Sequence, residues 1–168
     1  MNNKKIVFLI MILWTSIVLF WVIQNEYIRA VGREILLETV PIDPKDLFMG
    51  DYVILNYKIA NNYHYSNYPL NSTIYTVLKI NNKNIAEIDY VSDTKPNGKE
   101  LFLKCKVQKC SHLNFWRRGT CCKYGIESYY VKEHTGLDLE NNLRQGALVK
   151  VRIDKNGIGK VVGFKNNG

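Results

Sequence analysis

The chain has 168 residues, of which 23 are Lys or Arg and 15 are Asp or Glu, so its formal net charge is +8. This length has room for one ordinary domain and excludes two large ones. Apolar residues make up 46% and charged residues 23%, which excludes both a disordered chain and a transporter with many membrane spans. The charges are unevenly placed, because residues 1–23 contain only Lys4 and Lys5.

An uncharged, apolar segment begins at Ile6 and ends at Ile23. Its only polar side chains, Thr15 and Ser16, can bond to the carbonyls of their own helix. Eighteen helical residues cover about 27 Å, close to the roughly 30 Å of hydrocarbon in a bilayer. The pattern therefore predicts a single spanning helix with the lipid bilayer as its partner. A cleaved signal peptide is the alternative, but residues 24–29 offer no small-residue cleavage site.

The basic residues do not decide the orientation of the helix, because Lys4 and Lys5 on one side of the span are balanced by Arg29 and Arg33 on the other. A first apolar segment tends to act as a signal-anchor, and the long domain behind it then crosses the membrane largely regardless of its charge. We therefore expect a cytoplasmic tip and anchor at residues 1–23, a juxtamembrane linker at 24–32, and an extracytoplasmic domain at 33–168. The predicted location is the cell membrane.

Alternating apolar residues predict β-strands at 52–59, 72–80, 84–91, 101–107, 149–153 and 158–164. The first of these places Val53, Leu55, Tyr57 and Ile59 on one buried face, and the second does the same with Ile74, Leu78 and Ile80. Asn156-Gly157 between the last two strands is typical of a hairpin. One short helix is predicted at 137–144. Seven or eight strands with one helix predict a mainly β fold, either a β-sandwich or a partly open β-barrel.

Residues 40–52 combine two prolines, three aspartates and a glycine directly before a strand, a composition typical of a compound turn. The residues that build it are Pro41, Asp43, Pro44, Asp46, Gly50 and Asp51. The three carboxylates could instead gather around a hard cation such as Ca²⁺. The spacing of an EF-hand loop is absent, so we expect a structural turn, with no metal and no cofactor.

The segment Gly50-Asp51-Tyr52-Val53-Ile54-Leu55-Asn56-Tyr57 resembles the signature of the bacterial GDYXXLXY proteins. A second block similar to that family contains Tyr124, Gly125, Ile126, Glu127 and Tyr130. The resemblance covers most of residues 33–164. It implies a membrane-anchored protein with one extracytoplasmic domain, often encoded beside multi-pass membrane proteins, and it implies no known activity.

A Gly-Asp turn that opens a strand also occurs in type I signal peptidases, which are membrane-anchored β-proteins. Those enzymes need a Ser nucleophile activated by a Lys of lowered pKa. No serine occurs between Ser16 and Ser66, so the nucleophile is missing ahead of the turn. We therefore expect no serine-lysine proteolysis here, although an inactive barrel of that kind remains an alternative.

Four cysteines lie in the predicted domain, and an even number outside the cytoplasm favours two disulfides. They are Cys105, Cys110, Cys121 and Cys122. A bridge between the adjacent pair is strained, so either cross-loop arrangement is preferred, and each would staple the Cys105 strand to the strand that enters Tyr124. Free thiols and a zinc site that includes His112 remain alternatives, the latter with poor ligand spacing.

The loop between the cysteines carries two aromatic and two basic side chains, namely Phe115, Trp116, Arg117 and Arg118. They could contact a protein partner or anionic lipid headgroups, or the aromatics could form a local core.

The leading functional hypothesis is a non-enzymatic accessory or binding module for a neighbouring membrane protein, because no nucleophile, base or cofactor loop is assembled in the sequence. No Lys/Arg block indicates nucleic-acid binding. The alternative is a divergent hydrolase that uses Asp43, Asp46 or Asp51 as a general base.

Overall fold

The computed structural model describes residues 3–40, 52–61, 65–97, 99–110, 120–130 and 146–165, with the backbone alone at 3, 25, 52 and 61. The described helices and strands are α1 (Asn3–Val31), β1 (Arg33–Glu38), β2 (Tyr52–Ile54), α2 (Lys58–Asn61), β3 (Thr73–Ile80), β4 (Ala86–Ser92), β5 (Phe102–Lys109), β6 (Thr120–Lys123), β7 (Ser128–Tyr130), β8 (Leu148–Ile153) and β9 (Gly159–Lys165). The predicted mainly β fold behind one N-terminal helix is confirmed. The helix predicted at 137–144 lies outside the described residues.

The strands form three antiparallel groups, with orders β1-β8-β9, β4-β3-β5-β6 and β2-β7. A bridge between Leu36 and Ile85 joins the first group to the second, and a bridge between Thr39 and Tyr57 follows β1. The result is a sheet curled into a half-barrel, which agrees with the partly open barrel expected from the sequence.

The core lies inside the curl, where the apolar side chains that alternate along the strands meet. Its fully buried large members are Leu37, Val53, Leu55, Tyr57, Tyr65, Ile74, Leu103, Val107, Val149 and Val151. In β8 the alternation is regular, because Val149, Val151 and Ile153 are buried while Lys150 and Arg152 are half-buried. The curled sheet therefore covers one continuous apolar interior.

The long strand predicted at 52–59 is wrong in its second half. The strand ends at Ile54, and α2 occupies Lys58–Asn61. The backbone leaves the ladder because Asn56 O accepts a hydrogen bond from Val40 N, a partner in a distant segment. Even so, Val53, Leu55, Tyr57 and Ile59 are all buried, as the alternation predicted.

The burial predicted for β3 holds for Ile74 and Leu78, whereas Ile80 is 38% exposed. A β-bulge between Val77 and Leu78 shifts the pairing of β3 with β4. The extra residue of this bulge is Asp89 in β4, so β3 keeps its alternation through Ile74, Thr76 and Leu78. Ile80 is exposed as the last residue of β3.

The hairpin between β8 and β9 is built around Asp154 and Gly157. Asp154 Oδ1 accepts hydrogen bonds from Asn156 N and Ile158 N, both at 2.8 Å. Gly157 has φ of +78°, a left-handed conformation that glycine adopts without steric cost. The hairpin predicted from Asn156-Gly157 is confirmed, with the glycine as its left-handed residue.

The substitution Gly157→Ala is expected to lower the free energy of unfolding by about 2–4 kcal/mol, from the left-handed φ and from overpacking. A Cβ at this position would lie 2.6 Å from the Phe102 ring. Gly163→Ala is the matched control, because no atom lies within 4 Å of its Cβ. Urea unfolding of both variants measures the difference, and equal stabilities would contradict the close approach.

The helix α1 is long and apolar enough to cross a membrane. Every side chain from Ile6 to Ile23 is exposed. Thr15 Oγ1 donates to Met11 O at 2.7 Å and Ser16 Oγ to Ile12 O at 2.8 Å, which confirms that the helix satisfies its own polar groups. Of the segment predicted as a linker, residues 24–31 form the last two turns of the same helix and Gly32 follows the helix end.

The C-terminal end of α1 is fixed to the β-domain by Arg152 of β8. Its guanidinium donates to the carbonyls of Arg29 and Ala30 and pairs with Glu34 at 3.3 Å. Carbonyls in the last turn of a helix have no partner within the helix, so this contact caps α1. A Cβ at Gly32 would lie 3.1 Å from Arg152 Cβ, so glycine permits the close packing of the helix end against β8.

Candidate functional site at the junction of the two motifs

The described part of the first motif pairs directly with the second. In the β2–β7 ladder, Tyr52 lies opposite Tyr130, Val53 opposite Tyr129 and Ile54 opposite Ser128. The pairing continues past the strand, because Leu55 N donates to Glu127 O at 2.7 Å. The two sequence motifs therefore form one connected structure.

A buried tyrosine and a carboxylate fix this junction. Tyr57 is fully buried, and its hydroxyl donates to Ile126 O at 2.8 Å. The Glu127 carboxylate accepts hydrogen bonds from Tyr124 N and from Gly125 N, the latter at 2.8 Å. Gly125 has φ of +80°, so the turn requires a residue that tolerates the left-handed conformation. Glu127 thus closes the turn that brings Ile126 O to Tyr57.

Three further hydroxyl groups each lie within hydrogen-bonding distance of at least one other in the core, next to the junction. Tyr124 Oη lies 3.1 Å from Tyr65 Oη and 3.1 Å from Thr76 Oγ1, and Tyr65 Oη donates to Ile59 O at 2.9 Å. Within the described ranges, no buried side-chain nitrogen or oxygen lacks a hydrogen-bond partner. A buried polar group of this kind stabilises a single packing arrangement when all of its members are satisfied.

Burial raises the pKa of Tyr57 and of Tyr124 well above the ordinary value of 10.0. The negative charge of Glu127 adds to the rise for both residues. Both phenols therefore stay neutral at physiological pH and act as hydrogen-bonding groups.

Stability is expected to fall as the pH rises above 10. The unfolded tyrosines ionise near pH 10 while the folded ones keep their protons, so the stabilisation is complete below pH 10 and declines above it. The slope is at most about 1.4 kcal/mol per pH unit for each tyrosine. Urea unfolding at pH 9, 10 and 11 measures it, and Tyr57→Phe should reduce the slope. A slope unchanged by that substitution would contradict the raised pKa of Tyr57.

The sequence model of the family described as GDYXXLXY protein matches residues 14–163. The chain belongs to the GDYXXLXY family. The match begins inside α1 and reaches β9, so the family includes the second half of the apolar helix together with the β-domain. No curated protein and no solved structure matches the chain significantly.

Two of the letters that name the GDYXXLXY family correspond to core residues in this member, since Leu55 and Tyr57 are 1% and 0% exposed. The turn ahead of them, with Pro41, Asp43, Pro44, Asp46, Gly50 and Asp51, lies outside the described residues. The structural turn predicted there therefore stays a prediction, as does its alternative, a carboxylate cluster that binds a cation. Within the described ranges, no group of three or more His, Cys, Asp or Glu is arranged to hold a metal ion.

One of the two disulfides predicted for this GDYXXLXY protein is present, while the other two cysteines carry free thiols. Cys105 and Cys122 form the disulfide, with their Cα atoms 5.5 Å apart, and it joins β5 to β6. Cys110 and Cys121 carry free thiols in contact with each other. In the β5–β6 ladder Cys121 lies opposite Gln108, two residues before Cys110, so the two thiols are diagonal neighbours.

Without reductant, two thiols are expected to react with an alkylating reagent, Cys110 at least about tenfold faster than Cys121 at pH 8. Burial raises the pKa of Cys121 to about 12, and its hydrogen bond to Cys110 adds to the rise. Mass spectrometry of alkylated peptides measures both rates. Labelling of Cys105 and Cys122 without reductant would contradict the disulfide, and equal rates for the two thiols would contradict the raised pKa of Cys121.

The predicted contact loop of this protein, with Phe115, Trp116, Arg117 and Arg118, lies outside the described residues.

Sequence reasoning missed two members of the buried hydroxyl group. Thr76 lies between Ile74 and Leu78 in β3, so the alternation itself could have placed it on the core face. Tyr65 begins a short 3-10 helix (Tyr65–Asn67) in a polar segment, where no local signal marks it as buried.

Proposed function

We propose that α1 holds this GDYXXLXY protein in the membrane and that the β-domain acts outside the cytoplasm as an accessory or binding module for a neighbouring membrane protein. The observation that carries the proposal is the exposure of α1, whose side chains from Ile6 to Ile23 all lie on the surface. Exposing such a helix to water is unfavourable on every face, so lipid or a membrane-embedded partner would cover it.

Two further observations support the anchor and its orientation. The family match begins at residue 14, so part of the apolar helix belongs to the matched region along with the domain. The disulfide between Cys105 and Cys122 is typical of proteins in oxidising compartments, which lie outside the cytoplasm.

The junction at Arg152 and Gly32 supports a role exerted through contact. Residues 24–31 continue α1 beyond the apolar segment by about 12 Å at 1.5 Å per residue. Because Arg152 caps the helix end, the domain would be held close to the membrane surface, next to a membrane protein that contacts α1. The alternative hydrolase depends on Asp43, Asp46 and Asp51, and it stays a prediction.

Carbonate extraction of membranes from cells that produce the full chain tests the anchor. We expect the protein in the membrane pellet. Leu13→Arg with Ile17→Arg should release it, because two arginines in the span cost about 5–7 kcal/mol. Leu70→Arg with Ile158→Arg is the matched control, since those side chains are exposed outside α1. Recovery of the unaltered chain in the soluble fraction would contradict the anchor.

A membrane-impermeant amine reagent, added to cells whose inner membrane is intact, tests the orientation. Exposed lysines of the β-domain such as Lys109 and Lys123 should be labelled, while Lys4 and Lys5 should react only after lysis. The reverse pattern would place the domain in the cytoplasm without contradicting the anchor.

A photo-crosslinking amino acid at Trp14 or Val22 tests the association with a membrane protein, and the same probe at Lys123 is the remote control. Both helix positions are exposed, at 65% and 52%. We expect both to capture the same integral membrane protein. Adducts with lipid alone would contradict the accessory role and leave the anchor intact.

A further inference from the structure

A cleft of about 340 Å³ lies where α1 leaves its apolar segment and meets the β-domain. One face of the helix forms its wall through Gln24, Tyr27, Ile28 and Val31, which recur at helical spacing. The opposite side comes from residues 99–102 and from the β8–β9 hairpin. The cleft is therefore a space between the helix and the domain rather than part of the motif junction.

The cleft opens at the height of the lipid headgroups if the apolar segment spans the bilayer. Gln24 directly follows Ile23, and the helix rises only about 6 Å from Gln24 to Ile28. The polar layer adds roughly 5–8 Å to each side of the hydrocarbon core. The lower part of the cleft therefore lies within the headgroup layer.

Three cations line the cleft, namely Arg33, Lys99 and Lys155. All three side chains are exposed, and none of them forms an ion pair or a side-chain hydrogen bond with another residue that the structure describes. A fourth cation, Lys95, approaches the same site through its 3.0 Å bond to Asn156 Oδ1. Cations concentrated beside a membrane helix attract anionic lipid.

The two carboxylates of the cleft are already engaged. Glu100 Oε1 accepts a hydrogen bond from Tyr90 Oη at 2.8 Å. Asp154 Oδ1 accepts two backbone hydrogen bonds inside the hairpin turn. The three cations outnumber these two carboxylates, and their side chains have hydrogen-bond donors to offer to a ligand.

The walls of the cleft are partly apolar. Tyr27 and Val31 are 57% and 63% exposed on the helix side, and Leu101 and Phe102 contribute on the domain side. A free inorganic phosphate would use the cations alone. A phospholipid would also place its glycerol region against the lower apolar wall at Tyr27, so the combination favours lipid.

We propose that this cleft binds the phosphate of an anionic phospholipid headgroup, with Arg33, Lys99 and Lys155 as the donors and the lower part of the α1 wall, at Gln24 and Tyr27, against the glycerol region. The inference rests on the proposed anchoring of α1, because only then does the cleft lie at the headgroup layer. It assigns to the junction of helix and domain a lipid specificity that the apolar helix alone would not give.

The full chain, reconstituted in phosphatidylcholine vesicles that carry a small fraction of photoactivatable phosphatidylglycerol, tests the proposal. The cleft variant combines Arg33→Gln, Lys99→Gln and Lys155→Gln. The matched control combines Lys106→Gln, Lys109→Gln and Lys123→Gln, which removes the same charge from exposed positions near the other end of β5 and in β6. Co-flotation with the vesicles and the thermal melting temperature report insertion and folding for each protein.

We expect adducts on peptides that contain Tyr27, residues 99–102 or Lys155 in the unaltered chain and in the control. The cleft variant should lose the adduct by on the order of tenfold or more, with flotation and melting temperature unchanged. Equal adduct yields in the cleft variant and the control would overturn the proposal. Competition by millimolar inorganic phosphate as effective as that by unlabelled phosphatidylglycerol would overturn the choice of lipid. Failure of the unaltered chain to float would instead contradict the proposed anchor.

Discussion

Replacing Tyr57 with alanine is expected to lower the free energy of unfolding by about 3–5 kcal/mol, the cost of removing a large aromatic side chain from a core. Tyr57→Phe should cost about 1–3 kcal/mol, because it leaves Ile126 O without its donor in a buried position. Denaturant unfolding measures both changes. Since Tyr57 connects the two motifs of the family, these losses estimate how strongly the junction stabilises the domain.

Tyr90→Phe is the matched control for the phenylalanine substitution. Tyr90 also donates a hydrogen bond, to Glu100, but its side chain is 40% exposed. Water can replace that bond, so we expect a change within about 0.5 kcal/mol. Equal effects at positions 57 and 90 would show that the buried hydrogen bond at the motif junction contributes no more to stability than an exposed one.

Removal of the disulfide through Cys105→Ala with Cys122→Ala should lower the free energy of unfolding by about 3 kcal/mol. The two cysteines are 17 residues apart, and a bridge of that span restricts the unfolded chain by about this amount. Thermal or urea unfolding with and without a reducing agent measures the effect. The unaltered chain under reducing conditions should approach the stability of the double variant.

The neighbouring thiols provide the control for this experiment. Cys110→Ala with Cys121→Ala should retain the full sensitivity to the reducing agent, because the bridge between Cys105 and Cys122 remains. An unaltered chain whose stability does not respond to the reducing agent would contradict the bridge. Loss of the response in the Cys110 and Cys121 variant would place the stabilising bridge at the other pair.

Local alternation predicted the fold where each strand has a regular partner along its whole length. In β8, Val149, Val151 and Ile153 are buried as expected, because β1 pairs with it in one unbroken register. The register shift in its pairing with β9 skips Val162 of β9 and no residue of β8. The prediction failed after Ile54, where the hydrogen-bond partners change from β7 to Glu127 and then to Val40. Such a change depends on distant segments, so the pattern of residues 52–59 alone could not reveal it.

The candidate site was predictable to a similar degree. The resemblance singled out both motifs, but their pairing depends on strand register, which the sequence leaves open. The cysteine connectivity was open for the same reason, since either cross-loop arrangement satisfies the spacing. Arg152 could not be recognised as the cap of α1, because nothing local distinguishes it from the lysines of the same sheet.

The direct connection of α1 to the sheet has a mechanical consequence. Within residues 3–40, Gly32 is the single residue between the end of the helix and the start of β1, and Arg152 fastens the helix end to β8. A bilayer thinner than the apolar length of a spanning helix makes that helix tilt. If lipid surrounds α1, the domain would tilt together with the helix. A change in bilayer thickness would then change the angle between the outer surface of the domain and the membrane.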